Sequence, residues 1–219
     1  MQRFFKYVIT GGPCAGKTTA LAIMTKEFQK RGYSVVIVEE TATFLIKAGL
    51  KPFGEERDKL KLWDFQDLVL KGQLLKEDLI LEGAKKIPNE KILVLFDRGT
   101  LDNRAYLGDE DFEILMSIAG VTEEGLNGRY DGVIHFVSVA IDKPECYIIT
   151  DERTEPIEKA RQLEIETVRT WRNHKNHIVI FNDCTMVEKA DIAVEAILQD
   201  IERKEREEEE QKVYQKATK

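Results

Sequence analysis

Lys17 and Thr18 close a G-x-x-x-x-G-K-T pattern within the run Gly11-Gly12-Pro13-Cys14-Ala15-Gly16-Lys17-Thr18-Thr19. These residue types in this order suit a polyanion. Gly11 and Gly16 let the backbone take strained angles and approach a phosphate closely. Successive N–H groups and a following helix N-terminus then point partial positive charge at it. The pattern implies that the whole run from Gly11 to Thr19, with Gly12, Pro13, Cys14 and Ala15 included, holds a nucleoside triphosphate. Lys17 reaches the β- and γ-phosphates as a catalytic cation, and the Thr18 hydroxyl ligates Mg²⁺.

Two further groups could take part. Asp97 ends an apolar run, where a carboxylate can support the metal or accept a proton from an attacking hydroxyl. Capping the helix that follows is its simpler use. Glu39 and Glu40 end the second apolar run; a carboxylate there could act as general base on a substrate hydroxyl. The pattern itself does not choose between them. Arg98 and Arg104 follow Asp97, and Arg153 and Arg161 flank the start of a late helix. A segment that closes over the site and delivers arginine would stabilise charge on a transferring phosphoryl group and exclude water. Arg153 and Arg161 are the lid candidates, although Arg161, between Glu158 and Glu164 at helical spacing, also fits plain exposed helix pairs. Arg169 and Arg172 read as surface.

The elements that must position these groups alternate regularly. Phe4–Thr10, Ser34–Val38, Lys91–Asp97, Val133–Val139 and Ile178–Phe181 are short apolar runs, the composition of buried parallel strands. Leu21, Met24 and Phe28 recur at helical spacing after the loop, and the helix is predicted to end at Lys30-Arg31-Gly32. A short helix is expected from Thr41 to Gly49. A long one is expected from about Asp58 to Lys86, with Leu60, Trp63, Leu68, Leu74, Leu75 and Leu79 on or near one face. Thr154 and Pro156 mark the start of a helix reaching about His174, and a last helix begins near Met186. The fold class is therefore α/β: a five-stranded parallel sheet flanked by helices. Ligands of such sheets gather beyond the strand C-termini, so the loops after Thr10, Val38 and Asp97 should converge on one rim.

At 219 residues the chain fits one domain, read as residues 1–200 with a lid region at about 142–165 and a charged tail at 201–219. A net charge of −7 argues against a broad nucleic-acid footprint. Three scattered cysteines without metal-ligand spacing suit a reduced, intracellular setting. No apolar run reaches the ~18 residues of a membrane span and no signal-peptide pattern precedes the first strand, so the cytoplasm is the expected location.

The loop, Glu40-Thr41-Ala42-Thr43, Phe65-Gln66, Asp97-Arg98-Gly99-Thr100-Leu101-Asp102, and Ala160-Arg161 with Thr170-Trp171-Arg172 resemble the "AAA domain" ATP/GTP-binding family, a kinase-like P-loop group. That family includes the insect translocation-defect GTP-binding proteins and is similar to bacterial ribosylnicotinamide kinase domains. A wider resemblance is to deoxynucleoside and thymidylate kinases. It implies a nucleoside/nucleotide-kinase-like P-loop NTPase fold, Glu40 as the base, Gln66 as a reader of the acceptor, and Arg98 steadying the acceptor or a transferring phosphate. Gln66 equally fits an amphipathic helix position. The chain ends in a charged tail where the translocation-defect proteins carry a second domain, so functions tied to that domain are not carried over. No Asn-Lys-x-Asp motif for guanine occurs, which favours ATP over GTP as donor.

The leading expectation is thus a Mg²⁺- and ATP-dependent kinase, GTP being the other donor, acting on a hydroxyl of a small nucleoside-like or other metabolite acceptor. Glu40, Gln66 and Arg98 would meet that acceptor. The rival is a GTP- or ATP-binding switch that presents a surface to a protein partner, with slow hydrolysis. A plain phosphohydrolase ranks last, for want of a glutamine placed to orient water.

Overall fold

The computed structural model describes residues 2–147 and 156–217. Five strands, β1 (Arg3–Thr10), β2 (Ser34–Val38), β3 (Lys91–Asp97), β4 (Gly132–Phe136) and β5 (His177–Ile180), form one all-parallel sheet in the order β2-β3-β1-β4-β5. The helices between them are α1 (Lys17–Lys30), α2 (Thr41–Lys47), α3 (Leu62–Ala84), α4 (Asn103–Leu107), α5 (Asp109–Ala119), α6 (Glu123–Asn127), α7 (Val139–Asp142), α8 (Ile157–Trp171) and α9 (Met186–Ala217). Short 3₁₀ turns at Thr100–Asp102 and Pro144–Cys146 complete the path.

Alternation along the strands builds two cores. Tyr7, Ile9, Leu93, Leu95, Ile134 and Phe136 face α1 and α9, where they meet Met24, Phe28, Val194 and Ile197. Val8, Ile92, Val94, Phe96 and Val133 face the other way, toward Leu70 of α3, Phe112 and Leu115 of α5 and Trp171 of α8. Both faces of the sheet are covered, which is why its strands read as largely apolar runs, broken by Lys6 in β1 and His135 in β4.

Several boundaries depart from the sequence reading. α3 starts at Leu62, not near Asp58, because residues 51–61 form a loop closed by the Leu60 N–H on the Lys51 carbonyl at 2.7 Å. Its expected face is only partly the buried one: Trp63 and Leu74 pack against the core, but Leu75 and Leu79 are 73% and 66% exposed, while Phe65, Gln66, Val69, Leu70, Gln73 and Glu77 are buried. Three polar residues take inward positions because a cavity and a buried ion pair await them there. β4 stops at Phe136, since Ser138 accepts the Ala140 N–H and caps α7. α8 starts behind Pro156 and ends at Trp171; Thr154 lies outside the described residues. α9 runs straight through the boundary expected at residue 200, with Ile201 still in the core and Lys204 paired to Asp131 at 3.1 Å. None of the described helices is long and apolar enough to cross a membrane.

Candidate nucleotide and acceptor site

Strand order does the first part of the assembly. β3 lies between β1 and β2, with Ile9 opposite Asp97 and Val38 opposite Phe96. The loops leaving these three strands start from neighbouring points on one edge, so groups far apart in sequence meet beyond it.

The loop after β1 has the backbone the glycines foretold. Gly11 has φ +136, and a Cβ there would lie 2.0 Å from the Phe136 carbonyl oxygen, so only glycine lets the chain pass β4. Cys14 is left-handed at φ 58, and Gly16 turns into α1 without a side-chain cap. The first N–H groups of α1 are thereby left for an anion. Lys17 folds back over the loop, its Nζ donating to the Gly11 and Gly12 carbonyls at 3.0 and 3.1 Å. Burial and the nearby Arg98 cation push its pKa down to about 8, against the pull of Asp97, Glu40 and Asp102.

Arg98 follows β3 in a left-handed conformation, φ 72, which costs a non-glycine residue on the order of 1–3 kcal/mol. The strain aims its guanidinium across the site. Nε donates to Glu40 Oε1 at 2.8 Å, and Nη1 lies 3.5 Å from Asp102 Oδ2 without hydrogen bonding to any described residue. The other oxygen of Glu40 accepts from Thr43 Oγ1 at 2.6 Å. Burial works against the Glu40 charge, but Arg98 and Lys17 outweigh it and hold the carboxyl below its usual range. Asp97 goes the other way: burial, then the charge of Glu40, raise it to about 6. Its Oδ1 is buried and unpartnered among the described residues.

These groups line one cavity of about 610 Å³, large enough for a small ligand beside the phosphate loop. Its wall runs from Pro13–Thr19 past Asp97 and Arg98 to α2 and α3. There Gln66, Gln73 and Asn103 set amide groups among Leu62, Phe65 and Tyr106. Asn103 donates to Gln73 Oε1 at 2.7 Å and to the Thr100 carbonyl at 2.8 Å, while its Oδ1 is buried with no partner among the described residues.

Residues 6–189 match a family model described as "AAA domain". The chain belongs to that family. A comparison with curated proteins finds no match. As an AAA domain of P-loop type it is a nucleotide-binding protein, with activity of the NTPase or kinase kind.

The residues of this AAA domain fit a divalent cation. The unpartnered Oδ1 and raised pKa of Asp97 mark a carboxylate short of positive charge, and Thr18 lines the same cavity. Among the described residues no cluster of three or more His, Cys, Asp or Glu is arranged around a metal. Mg²⁺ in phosphate sites takes few protein ligands, relying on substrate oxygens and water.

Of the residues singled out by sequence, Pro13 to Thr19, Glu40, Gln66, Asp97 and Arg98 come together in the cavity wall. Gly11 and Gly12 lie behind it and offer carbonyls to Lys17. Glu39 is exposed, so of the two glutamates Glu40 faces the site. Arg161 is not brought in: its Nε donates to the Ala140 carbonyl at 2.6 Å, and Glu164, a supposed helix partner, is turned inward. Arg153 lies outside the described residues. Arg169 pairs at the surface with Asp109 and Glu166. Sequence reasoning assigned no role to Asp102, which accepts Thr10 Oγ1 at 2.7 Å and the Trp171 indole N–H at 2.5 Å, nor to Gln73, Asn103 and Tyr106. The recurrence of Gln66 and Gln73 seven apart, two helical turns, was the one available signal for the α3 wall.

Proposed function

We propose that this AAA domain is a small-molecule kinase that moves the γ-phosphate of ATP to a hydroxyl of a nucleoside-like acceptor. The observation that carries this reading is the continuity of one cavity from the phosphate loop to Glu40, Arg98 and Gln66. A switch or a hydrolase needs no such second compartment. Its amides suit a planar polar group with hydrogen-bonding edges, and Phe65 and Tyr106 supply apolar surface for the faces.

The chain's own groups divide the work. The N–H groups of the loop and Lys17 hold the donor phosphates. Glu40, kept ionised by Arg98 and Lys17, accepts a hydrogen bond from the acceptor hydroxyl and orients it for attack. Little base strength is demanded, since phosphoryl transfer passes through a loose transition state governed by positioning and charge. Arg98 is the arginine of the cavity wall, and its Nη1, 3.5 Å from Asp102 and without a hydrogen bond to any described residue, would turn from that aspartate to a phosphate oxygen. Thr18 and Asp97 would hold Mg²⁺, which when bound neutralises charge on the β- and γ-phosphate oxygens. Arg161 would add its charge only after releasing the Ala140 carbonyl, and Arg153 belongs to the same lid proposal.

The test is a panel of nucleosides and vitamin ribosides with Mg²⁺ and either ATP or GTP. Phosphate transfer to an acceptor is expected, with ATP the better donor. Glu40→Gln should lower transfer about a hundredfold or more while nucleotide affinity stays within about threefold. If no acceptor is phosphorylated and Glu40→Gln leaves nucleotide turnover unchanged, the kinase reading fails and the switch takes its place.

A further inference from the structure

One side chain holds the phosphate loop from behind and has no part in the scheme above. Glu164 of α8 is 3% exposed. Its Oε2 accepts the Gly12 N–H at 2.6 Å, and its Oε1 lies 2.8 Å from Nε2 of His135. His135 is fully buried in β4, opposite Thr10 of β1. Burial opposes the Glu164 charge, but His135 and the N–H groups of Gly12 and Ser138 outweigh it and keep the carboxyl below its usual range. Ser138 donates in turn to the Pro13 carbonyl. The first residues of the loop are therefore bonded to the buried side chains of Glu164 on α8 and of Ser138, the cap of α7, while Pro13 to Thr19 line the cavity.

Packing gives a second, independent sign. A Cβ on Gly12 would lie 2.7 Å from Glu164 Oε2, 3.1 Å from its Cβ and 3.2 Å from its Cα. The last of these is backbone and cannot swing aside. Gly12 occupies a position that the G-x-x-x-x-G-K-T pattern leaves free, so glycine there answers to α8 and not to a phosphate. The same helix reaches the site twice more: Lys159 and Leu163 line the cavity, and Trp171 donates to Asp102.

We propose that Glu164 is the positioning residue of the phosphate loop, clamping its first turn to α8 so that the loop and the α8 side of the cavity move as one. The bond joins an ionised carboxylate to a backbone N–H in a dry setting, among the stronger hydrogen bonds a protein makes. Removing the carboxylate leaves Gly12 N–H and a ring nitrogen of His135 without partners. The inference rests on nucleotide binding by the loop and is independent of phosphotransfer.

Three variants test it: Glu164→Ala, Glu164→Gln and Gly12→Ala. Each is compared with the unaltered chain by hydrogen–deuterium exchange without ligand and by calorimetric titration with Mg²⁺ and ATP or GTP. Glu164→Ala should speed exchange across residues 11–19 and weaken binding about tenfold or more. Glu164→Gln keeps an oxygen for the Gly12 N–H and should recover most of both. Gly12→Ala, which strikes the clamp from the loop side, should speed exchange across residues 157–167. Binding by Glu164→Ala within about twofold of the unaltered chain overturns the proposal. So does exchange raised evenly over the sheet with Gln no better than Ala, the mark of lost stability alone. Should Glu164→Ala fail to fold, the other two variants decide: unchanged exchange over 157–167 in Gly12→Ala overturns the clamp. If the unaltered chain binds neither nucleotide, the nucleotide reading is what fails, and the ligand-free exchange still judges Glu164.

Discussion

Lys17 shows how the chemistry of single residues is set by their neighbours. Its pKa of about 8 arises from burial and from Arg98, and both operate before any phosphate arrives. Triphosphate binding calls for the charged amine, so affinity is expected to fall as pH rises through about 8, with proton uptake on binding above that value. Titration calorimetry in buffers of different protonation heat measures both, and Lys17→Met should lose the uptake. The sign reverses for folding. Between about 8 and the ordinary 10.5 the unfolded chain binds the extra proton, so stability from this group rises with pH in that window. The loop and its cation were legible in the sequence because phosphate binding constrains residue type at fixed spacing. Arg98 was legible as a charge but not in its direction, since nothing in Asp97-Arg98-Gly99 announces a left-handed arginine. Asp102 was hidden for a different reason. A carboxylate on a short turn looks like any helix cap until Thr10 and Trp171, from two other elements, are seen to donate to it.

Among the elements, α3 is the instructive departure. Periodicity ranks a helix face by its apolar residues, and by that measure the leucines at 68, 75 and 79 should be inside. They are outside because the inward face serves a cavity at one end and a buried pair at the other, where Glu77 meets Arg129 at 2.6 Å and Tyr130 at 2.8 Å. Leu70→Ala should therefore cost about 2–5 kcal/mol, since Leu70 is fully buried. Leu75→Glu should change stability by less than about 0.5 kcal/mol, since that side chain lies in solvent. Urea unfolding midpoints of the two variants check the assignment, and equal losses would mean the leucine stripe is covered after all. The central strands offered no such trap, since with both faces covered an apolar run and a buried strand coincide; at the edges the match loosens, with Ile37 of β2 and Phe181 just past β5 exposed.

For the molecule as a whole, the parallel α/β class followed from the alternation of runs, but the order β2-β3-β1-β4-β5 did not. Strand order depends on which way each crossover helix turns, and that is decided by packing between elements distant in sequence. The consequence is large, because placing β3 between β1 and β2 is what brings Glu40 and Asp97 to Lys17. The charged end of α9 plays no part in this arrangement. Side chains from Arg206 to Gln215 are exposed, and the last apolar residue of the helix in the core is Ile201. Removing residues 207–219 should leave the unfolding free energy within about 0.5 kcal/mol. A larger loss in denaturant titration would show that the tail packs on the domain.

Trp171 has a use that its packing makes available. The chain has two tryptophans, and Trp171 is the fully buried one, its indole joined to an aspartate 3.5 Å from the Arg98 guanidinium. The other, Trp63, lies half-buried on α3, and Trp63→Phe, which keeps an aromatic ring against the core, would remove it. The emission of an indole depends on the charges beside it, so a chain with Trp171 alone carries an intrinsic optical gauge of the Arg98–Asp102 contact. Stopped-flow mixing of that single-tryptophan chain with nucleotide, and then with acceptor, would time the rearrangement of Arg98 separately from ligand capture, without any label.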